Sequence, residues 1–439
     1  MTKTTLKGRD VYIVDGSRTP FLKARTGIGP FTASDLAVKT GQQLLNRQSF
    51  NADAIDEVIL GSAMAGPDEA NIARVLALRL GCGHQVPAFT VMRNCASGMQ
   101  ALDNAAHDIA SNRADLVLAG GADAMSHAPL LFNAKMVNWL AAWYLAKAWK
   151  TRAQLATQIR PSYFAPIIAL LRGLRDPVVD LTMGQTAENI AYRFGISRAE
   201  MDAFSVASHQ GLLKAQEQHF MNEITPIIDD KGQVYSFDDG VRPDSSVAKL
   251  AKLKPFFDKK FGAVTPGNSS QITDGAALLL LASAKAVKEH DLPVLGRIVD
   301  IEWAGLDPAE MGLGPVHASA PIMKRHALGM DDIDFWEINE AFAAQVLGCV
   351  RAFNDRDYCR DHLGFKDAIG EIDPQKLNVD GGAIALGHPI GASGARIVLH
   401  LLNTLTARDG KRGMASICIG GGQGGAVLVE RVEGISKND

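Results

Sequence analysis

Short apolar stretches alternate with longer segments of helical periodicity along most of the chain. Residues 34–48 (SDLAVKTGQQLLNRQ) place apolar side chains at intervals typical of a helix with one buried face. A second helix is predicted from about residue 97 to residue 111. The strand-like apolar stretches lie at residues 10–16, 57–63, 87–95 and 114–125. This alternation predicts an α/β fold.

A partial internal repeat is visible in the same pattern. Residues 95–98 (CASG) open one predicted helix, and residues 391–394 (GASG) open another. Each helix leads to an apolar strand that ends in a glycine-rich turn, at 116–122 (LVLAGGA) and at 415–425 (ASICIGGGQGG). The shared order favours a duplication. It would place both small-residue turns at equivalent helix N-termini of two similar halves, with His388 just ahead of the second.

The composition narrows the class of protein. The 439 residues are 47% hydrophobic and 21% charged, which is typical of a globular protein with two or three packed units. A net charge of −3 argues against a nucleic-acid partner. The chain shows no apolar run long enough for a signal peptide or a membrane span. Five cysteines without a CxxC pair or zinc spacing indicate free thiols in a reducing compartment, so we expect a cytoplasmic protein.

Cys95 is the first candidate for a catalytic nucleophile. It follows a predicted strand and precedes a predicted helix, so its sulfur is expected at a helix N-terminus, where unpaired N–H groups favour thiolate over thiol. The side chains of Ala96, Ser97 and Gly98 are small enough to let a substrate carbonyl approach. A buried, inert cysteine is the alternative, since free cysteines are commonly part of the core.

Two further candidates lie in glycine-dense segments towards the C-terminus. His388 lies in residues 381–394 (GGAIALGHPIGASG), where a neutral imidazole close to a ligand could take the proton from a thiol. Cys418 precedes the glycine run at 420–425, whose N–H groups could form an oxyanion hole, and its own thiol could act as acid and base. A structural histidine and a core cysteine are the alternatives.

Asn339 completes the set, in residues 339–345 (NEAFAAQ) at a predicted strand-to-helix junction. Its amide could hold a water molecule or cap the helix. The four motifs, in this order, resemble those of the thiolase family, and the resemblance covers essentially the whole chain. Further matching stretches are RTP at 18–20, MGQTAE at 183–188, TPGNSS at 265–270 and TDGAA at 273–277.

The resemblance implies acyl transfer with ping-pong kinetics and a set of five catalytic residues. Cys95 would carry the acyl group as a thioester, and His388 would deprotonate first Cys95 and then the incoming coenzyme A. Cys418 would protonate the departing acetyl-CoA carbanion, or abstract that proton in the synthetic direction. Asn339 would hold a water that forms one oxyanion hole with His388. The N–H groups of Cys95 and Gly420 would form the other.

The resemblance also implies substrate contacts and a fold. Ser270 would contact the pantetheine arm of CoA, and Met183 would border the acyl chain. CoA is then a substrate, and neither a cofactor nor a metal is expected. The family fold has two similar βαβαβαββ-type halves packed in five layers, α-β-α-β-α, with an inserted loop domain, and family members form dimers that pair into tetramers. We expect an N-terminal half at 1–126 plus 265–285, a loop domain at 127–264 and a C-terminal half at 292–432.

Residues 127–175 have an unusual composition. They contain no Asp or Glu, seven basic residues and three of the five tryptophans. One interpretation is a basic helical lid that packs on the core and meets the CoA phosphates. The other is an amphipathic surface that lies on an anionic membrane, because Trp combined with Lys and Arg favours that interface. The residues concerned are Lys135, Lys147, Lys150, Arg152, Arg160, Arg172 and Arg175, with Trp139, Trp143 and Trp149.

Extra length at 124–183 and 350–376 resembles the β subunit of the fatty-acid oxidation trifunctional complex, whose partner is a hydratase–dehydrogenase α subunit. Members of that subgroup typically have His at the position of Asn339, which weakens the expectation of an α partner. Thr182 replaces a histidine of the acetoacetyl-CoA specialists. We therefore expect cleavage of 3-ketoacyl-CoA in fatty-acid β-oxidation, with a short-chain acetyl-CoA C-acetyltransferase as the alternative.

Three other classes of protein fit the sequence less well. A decarboxylating ketosynthase of the same fold tends to surround its cysteine with two histidines, or His and Asn, whereas Cys418 takes the second position here. A non-catalytic CoA-binding scaffold would be expected to have lost Cys95, His388 or Cys418. A cysteine hydrolase would need a separate carboxylate to orient its histidine, and no motif indicates one.

Overall fold

Strands and helices alternate along the chain as the apolar pattern predicts. The computed structural model describes residues 5–25 and 27–432. Its strands are β1 (Val11–Arg18), β2 (Leu22–Lys23), β3 (Glu57–Gly61), β4 (Ala88–Val91), β5 (Leu116–Ala124), β6 (Leu130–Phe132), β7 (Pro166–Ile168), β8 (Ile227–Ile228), β9 (Val234–Tyr235), β10 (Thr273–Ala282), β11 (Gly296–Gly305), β12 (Phe335–Ile338), β13 (Arg412–Ile419) and β14 (Gln423–Glu430).

The helices follow the same order in sequence and in space. They are α1 (Ala33–Asn46), α2 (Ile72–Arg79), α3 (Ser97–Ala110), α4 (Ala134–Leu145), α5 (Trp149–Gln158), α6 (Ala169–Gly173), α7 (Met183–Arg193), α8 (Arg198–Glu217), α9 (Val247–Leu250), α10 (Ala284–Glu289), α11 (Gly314–His326), α12 (Ala343–Asn354), α13 (Arg356–Leu363), α14 (Ala383–Leu386) and α15 (Ile390–Ala407). The predicted helix at 97–111 is confirmed as α3.

The two halves of the molecule repeat one strand pattern. The N-terminal half has the order β4-β3-β5-β10-β1, in which β3 is parallel to both neighbours and β10 is antiparallel to both. The C-terminal half has the order β12-β13-β14-β11, in which β12 is parallel to β13 and β14 is antiparallel to both neighbours. Leu377 forms a parallel bridge with Trp336 of β12, at the place of the fifth strand. The repeat predicted from the sequence is therefore present in the fold.

Five layers result from the way helices cover this sheet. Strand β1 pairs with β11, so the two halves form one continuous sheet. Helices α3 and α15 pack against each other between the halves. The outer faces are covered by α1 and α2 in the N-terminal half and by α11 and α12 in the C-terminal half. The expected α-β-α-β-α arrangement is confirmed.

The contact between α3 and α15 depends on glycines. A Cβ at Gly98 would lie 2.6 Å from the carbonyl oxygen of Gly391, and a Cβ at Gly394 would lie 2.6 Å from the backbone nitrogen of Met99. Only glycine lets the two helix N-termini come this close. The two small-residue turns of the repeat therefore bring the Cys95 loop against the segment that follows His388.

Residues 125–272 leave the sheet between β5 and β10. The first part, from β6 to α6, buries little: Met136 is the buried residue of α4, while α5, β6 and β7 bury none. Helices α7 and α8 then return to pack against α12 of the C-terminal half. No helix within residues 5–25 and 27–432 combines the length and apolar content needed to cross a bilayer.

Candidate active site

Cys95 lies in the tight turn between β4 and α3. The residue before it, Asn94, has a left-handed φ of 43°. Asn94 Nδ2 donates a 2.8 Å hydrogen bond to the carbonyl oxygen of Gly420. Ser97 Oγ donates to the Asn94 carbonyl at 2.7 Å and accepts from the Arg93 N–H at 2.9 Å. These bonds hold the cysteine at the start of α3 and tie its loop to the C-terminal half.

The thiol of Cys95 is not a standing thiolate. Burial raises its pKa above the ordinary value, and the Asp123 carboxylate acts in the same direction. The N–H groups of Gly420 and of Cys95 itself lower the pKa without compensating. The prediction that the helix N-terminus favours the thiolate is therefore wrong for the free protein, because desolvation outweighs the backbone N–H groups. A base has to remove the proton.

His388 has the geometry of that base. Ser393 Oγ donates to the Pro389 carbonyl at 3.0 Å, so it accepts the 2.6 Å hydrogen bond from His388 Nδ1. The proton therefore lies on Nδ1, and Nε2 keeps its lone pair. Nε2 is buried and has no hydrogen-bond partner among the described residues. Burial lowers the pKa of His388 to about 4, which keeps the imidazole neutral.

Cys418 lies near the end of β13 and is fully buried. Burial raises the pKa of its thiol well above the ordinary value, and the neighbouring Cys95 raises it further. Cys418 is thus a neutral thiol within electrostatic reach of Cys95, as a proton donor requires. The chain then turns through Gly421 and Gly422, at left-handed φ angles of 95° and 78°, which leaves the N–H of Gly420 directed at Cys95.

Asn339 follows β12 and is fully buried. Neither its Oδ1 nor its Nδ2 has a hydrogen-bond partner among the described residues. It does not cap α12, since the residue at that N-cap position is Phe342. Of the two roles considered from the sequence, the unpartnered amide fits the holding of a water molecule, because a buried amide needs some polar partner.

Two adjoining cavities bring most of the candidate residues together. The first, of about 270 Å³, is lined by Cys95 and Gly420. The second, of about 330 Å³, is lined by His388 and Ser270. Met183 lines both, and Asn339 and Cys418 line neither. The apolar walls consist of Ala63, Met64, Leu170, Leu174, Val178 and Ile390 in the first cavity and of Leu171, Leu174, Phe256, Phe257, Phe342 and Ile390 in the second.

Several residues of the site were missed at the level of sequence. Ser393 lies five positions after His388 in the same glycine-rich segment, so its pairing with the imidazole could have been predicted from the first turn of α15. Asn94 precedes Cys95 directly and tolerates the left-handed conformation that the turn needs. Leu170 and Leu174 come from the basic insert, and no local signal connects them with Cys95.

The site has the groups for acyl transfer and not those of a metal centre. A neutral imidazole, a buried thiol nucleophile, a second thiol and a glycine turn converge on apolar cavities. Within the described ranges, no three His, Cys, Asp or Glu side chains come together as a metal site requires.

Comparison with known families assigns both halves of the chain. The family model described as thiolase, N-terminal domain, matches residues 11–285, and that described as thiolase, C-terminal domain, matches residues 292–431. The 3-ketoacyl-CoA thiolase of Yersinia pestis (strain Pestoides F) is 34% identical over 429 residues, which are 97% of this chain and 98% of that protein.

Solved structures are similar over the same extent. The acetyl-CoA acetyltransferase of Bacillus anthracis superposes with a TM-score of 0.84 at 34% identity, covering 98% of this chain and 100% of that one. Human mitochondrial 3-ketoacyl-CoA thiolase in complex with CoA gives a TM-score of 0.83 at 36% identity, covering 97% of this chain and 98% of that one.

Proposed function

The chain belongs to the thiolase family of acyltransferases, and from that premise we propose that it cleaves 3-ketoacyl-CoA with CoA through an acyl-Cys95 intermediate. The observation that carries the proposal is the neutral His388, whose free Nε2 lies in a cavity adjoining that of Cys95. A thiol with a raised pKa needs such a base before it can attack a carbonyl. The products are acetyl-CoA and an acyl-CoA shortened by two carbons.

The first half-reaction forms the thioester. His388 Nε2 takes the proton of Cys95, and the thiolate attacks the 3-keto carbon of the substrate. The bond between carbons 2 and 3 then breaks, and Cys418 gives its proton to the departing carbanion, which leaves as acetyl-CoA. The N–H groups of Cys95 and Gly420 stabilise the tetrahedral oxyanion. A water on Asn339, together with His388, stabilises the enolate oxygen.

The second half-reaction transfers the acyl group to CoA. The proton on His388 passes to the Cys418 thiolate, which restores both groups. His388 then takes the proton of the CoA thiol, whose thiolate attacks acyl-Cys95. Cys95 departs as a thiolate and recovers its proton from His388, so no net proton is released. Ser270 contacts the pantetheine arm in the second cavity.

An acyl chain longer than that of acetoacetyl-CoA is supported by the walls of the first cavity. Leu170, Leu174 and Val178 give it an apolar lining, and burying each CH₂ contributes about 0.8 kcal/mol. The similar Yersinia pestis protein is a 3-ketoacyl-CoA thiolase, which agrees with a role in fatty-acid β-oxidation. The similarity to an acetyl-CoA acetyltransferase keeps the short-chain enzyme as the second candidate.

Thiolysis of 3-ketoacyl-CoAs from four to sixteen carbons, measured beside the Cys95→Ser variant, tests this proposal. We expect kcat/KM to rise with chain length, and the variant to keep its fold and lose at least about a hundredfold in kcat. Activity confined to acetoacetyl-CoA would establish the short-chain alternative. Near-wild-type turnover by Cys95→Ser would contradict the nucleophile assignment, and no turnover by either protein would favour the CoA-binding scaffold.

A second copy of the chain is the first partner that we propose. Strand β4 ends the sheet in the N-terminal half, and its far edge carries no strand among the described residues. Met92, just beyond it, is 66% exposed. An unpaired edge beside an exposed apolar side chain favours association. Sedimentation should give a dimer or tetramer, and a monomer at micromolar concentration would contradict the assignment.

An anionic bilayer is the partner proposed for the insert surface, by which we mean the exposed face of residues 130–171. Trp139 and Trp143 stack with ring centroids 5.3 Å apart, and Arg152 lies over the Trp143 ring. Basic residues without acidic neighbours complement anionic headgroups, and the apolar side chains suit the interface. Those exposed are Leu130, Leu131, Phe132, Val137, Leu140, Tyr144, Leu145, Trp149, Phe164, Ile167, Ile168 and Leu171.

Flotation with vesicles tests the insert surface. We expect binding to vesicles with 30 mol% phosphatidylglycerol, weak binding to phosphatidylcholine alone, and loss of binding in the double variant Lys147→Glu/Lys150→Glu. The matched control reverses two exposed lysines outside the insert, Lys259→Glu/Lys260→Glu. Equal binding by both double variants would contradict the proposal. Stoichiometric capture of a hydratase–dehydrogenase subunit, lost only with the insert variant, would establish the alternative partner.

A further inference from the structure

Asp123 is a fully buried carboxylate that the reaction described above does not use. It lies near the end of β5, on the strand that runs beneath the contact between α3 and α15. Burial raises its pKa to about 6, so it is ionised above neutral pH. A buried charge needs strong partners, and the hydrogen bonds of this carboxylate come from both halves of the molecule.

The partners in the N-terminal half belong to a wall of the first cavity. Asp123 Oδ1 accepts hydrogen bonds from Ser62 Oγ at 2.8 Å and from the Met64 N–H at 2.9 Å. The Ala63 N–H lies 3.1 Å from Oδ1 and 3.2 Å from Oδ2. Ala63 and Met64 both line the cavity that contains Cys95. The carboxylate thus fixes the backbone of that wall.

The partner in the C-terminal half belongs to the segment that carries the base. The Gly391 N–H, in the first turn of α15, donates to Asp123 Oδ2 at 2.6 Å. A carboxylate is favourable at this helix N-terminus because of its unpaired N–H groups. Gly391 lies between His388 and the Ser393 that orients it, and its neighbour Ile390 lines both cavities.

Asp123 also acts on Cys95 at a distance. Its negative charge opposes the ionisation of the Cys95 thiol, in a region that water reaches poorly. The other groups that act on the thiol are the N–H groups of Cys95 and Gly420, together with the neighbouring Cys418. Hence one side chain holds two catalytic segments and biases the protonation state of the nucleophile.

We propose that Asp123 is a positioning residue that clamps the Ala63–Met64 wall to the His388 segment, and that its charge keeps Cys95 protonated until His388 takes the proton. This inference rests on the proposed roles of Cys95 and His388. In the variant Asp123→Asn the amide NH₂ faces N–H donors, so the clamp is lost together with the charge while the volume is retained.

Two readouts on Asp123→Asn test the proposal. The first is the pH dependence of iodoacetamide labelling at Cys95, followed by peptide mass spectrometry. We expect its midpoint to fall by about one pH unit, because the opposing charge is gone. The second is thiolysis, where we expect kcat to fall at least about tenfold, since the base and the wall are no longer held in place, with KM for CoA within about twofold. A role in folding alone would not lower the labelling midpoint.

The matched control is Asp274→Asn, which removes another buried carboxylate that accepts hydrogen bonds from a serine and a backbone N–H. Asp274 has no hydrogen bond to the wall or to the His388 segment. An unchanged midpoint and kcat in Asp123→Asn, or equal changes in the control, would overturn the proposal. An active Cys95→Ser protein would instead contradict the proposed function, and the labelling arm would still report on Asp123.

Should Asp123→Asn fail to fold, Ser62→Ala provides the second variant. It removes one donor to the clamp and leaves the carboxylate charge. We expect kcat to fall about threefold while the labelling midpoint stays at its wild-type pH. A wild-type kcat in this variant, or a shifted midpoint, would overturn the proposal.

Discussion

The tautomer of His388 is set by a single hydroxyl. Ser393 spends its own proton on the Pro389 carbonyl and accepts the Nδ1 proton of the imidazole. In Ser393→Ala that acceptor is lost, and the tautomer with its proton on Nε2, which cannot receive the thiol proton, becomes populated. We expect kcat for thiolysis to fall about ten- to a hundredfold, within the range attributed to a positioned general base.

A buried serine elsewhere gives the control for this change. Ser319 in α11 is fully buried, and its Oγ has no partner among the described residues. Ser319→Ala should therefore leave kcat unchanged. If Ser393→Ala has wild-type kcat as well, the hydroxyl does not fix the imidazole, and the assignment of Nε2 as the free base position fails.

Residue types could be predicted from the sequence, but their protonation states could not. Cys95, His388 and Cys418 were identified from glycine-dense surroundings, because close approach of a ligand is what such segments permit. The thiolate expected at Cys95 was wrong, since desolvation depends on which segments cover the sulfur. Gly420 contacts that sulfur from the other half of the chain, and Asp123 acts on it from β5. Neither relation is visible in a linear sequence.

At the scale of elements, the crossing of α3 and α15 is the feature on which the site depends. A methyl group at Gly394 would meet the backbone of Met99, which cannot move aside as a flexible side chain can. We expect Gly394→Ala to lower the free energy of unfolding by about 1–3 kcal/mol, the usual cost of overpacking. It should also separate the Cys95 and His388 segments and lower kcat.

Gly173→Ala in α6 is the control for helix propensity. A Cβ there would meet nothing within 4 Å. The substitution should leave stability unchanged or raise it by up to about 1 kcal/mol, since alanine favours the helix. Urea denaturation of both variants measures the difference. Equal unfolding midpoints would show that the close approach of the two helices does not require glycine.

The order of strands and helices was predictable because their apolar periods differ, and the repeat was predictable because both halves use the same small-residue turn. The cavity wall formed by α6 was not. Leu170 and Leu174 lie within an insert whose composition suggested only a lid or a membrane surface. Their position at the site results from how residues 125–272 pack back onto the sheet, which local periodicity does not encode.

At the scale of the whole molecule, a buried network of charges joins the parts of the chain. His400 of α15 lies 3.0 Å from Glu223 Oε1 and 3.3 Å from Asp380 Oδ2. Glu223 also pairs with Arg18 of β1, which binds Asp238 at 2.7 Å. The network therefore connects the N-terminal half, the segment between the halves and the C-terminal half. Breaking such a pair by removing one partner costs about 3–5 kcal/mol.

This network predicts how stability depends on pH. Burial alone would lower the pKa of His400, but Glu223 and Asp380 raise it to about 10. A raised histidine pKa contributes stability in full below the unfolded value of about 6.5, and the contribution is lost as pH rises towards the folded value. Between pH 7 and pH 9 we expect this residue to cost the protein about 2–3 kcal/mol of unfolding free energy, at up to about 1.4 kcal/mol per pH unit.

His400→Gln isolates that contribution. The variant should be less stable than the wild type at pH 6.5, because Glu223 and Asp380 lose their cation, and the difference should shrink as pH rises to 9. His107→Gln, at an exposed position, should follow the wild type throughout. Urea denaturation at each pH measures all three proteins. A constant difference between His400→Gln and the wild type would mean that His400 is neutral in the folded state, so that the two carboxylates would be held by Arg18 and Arg408 alone.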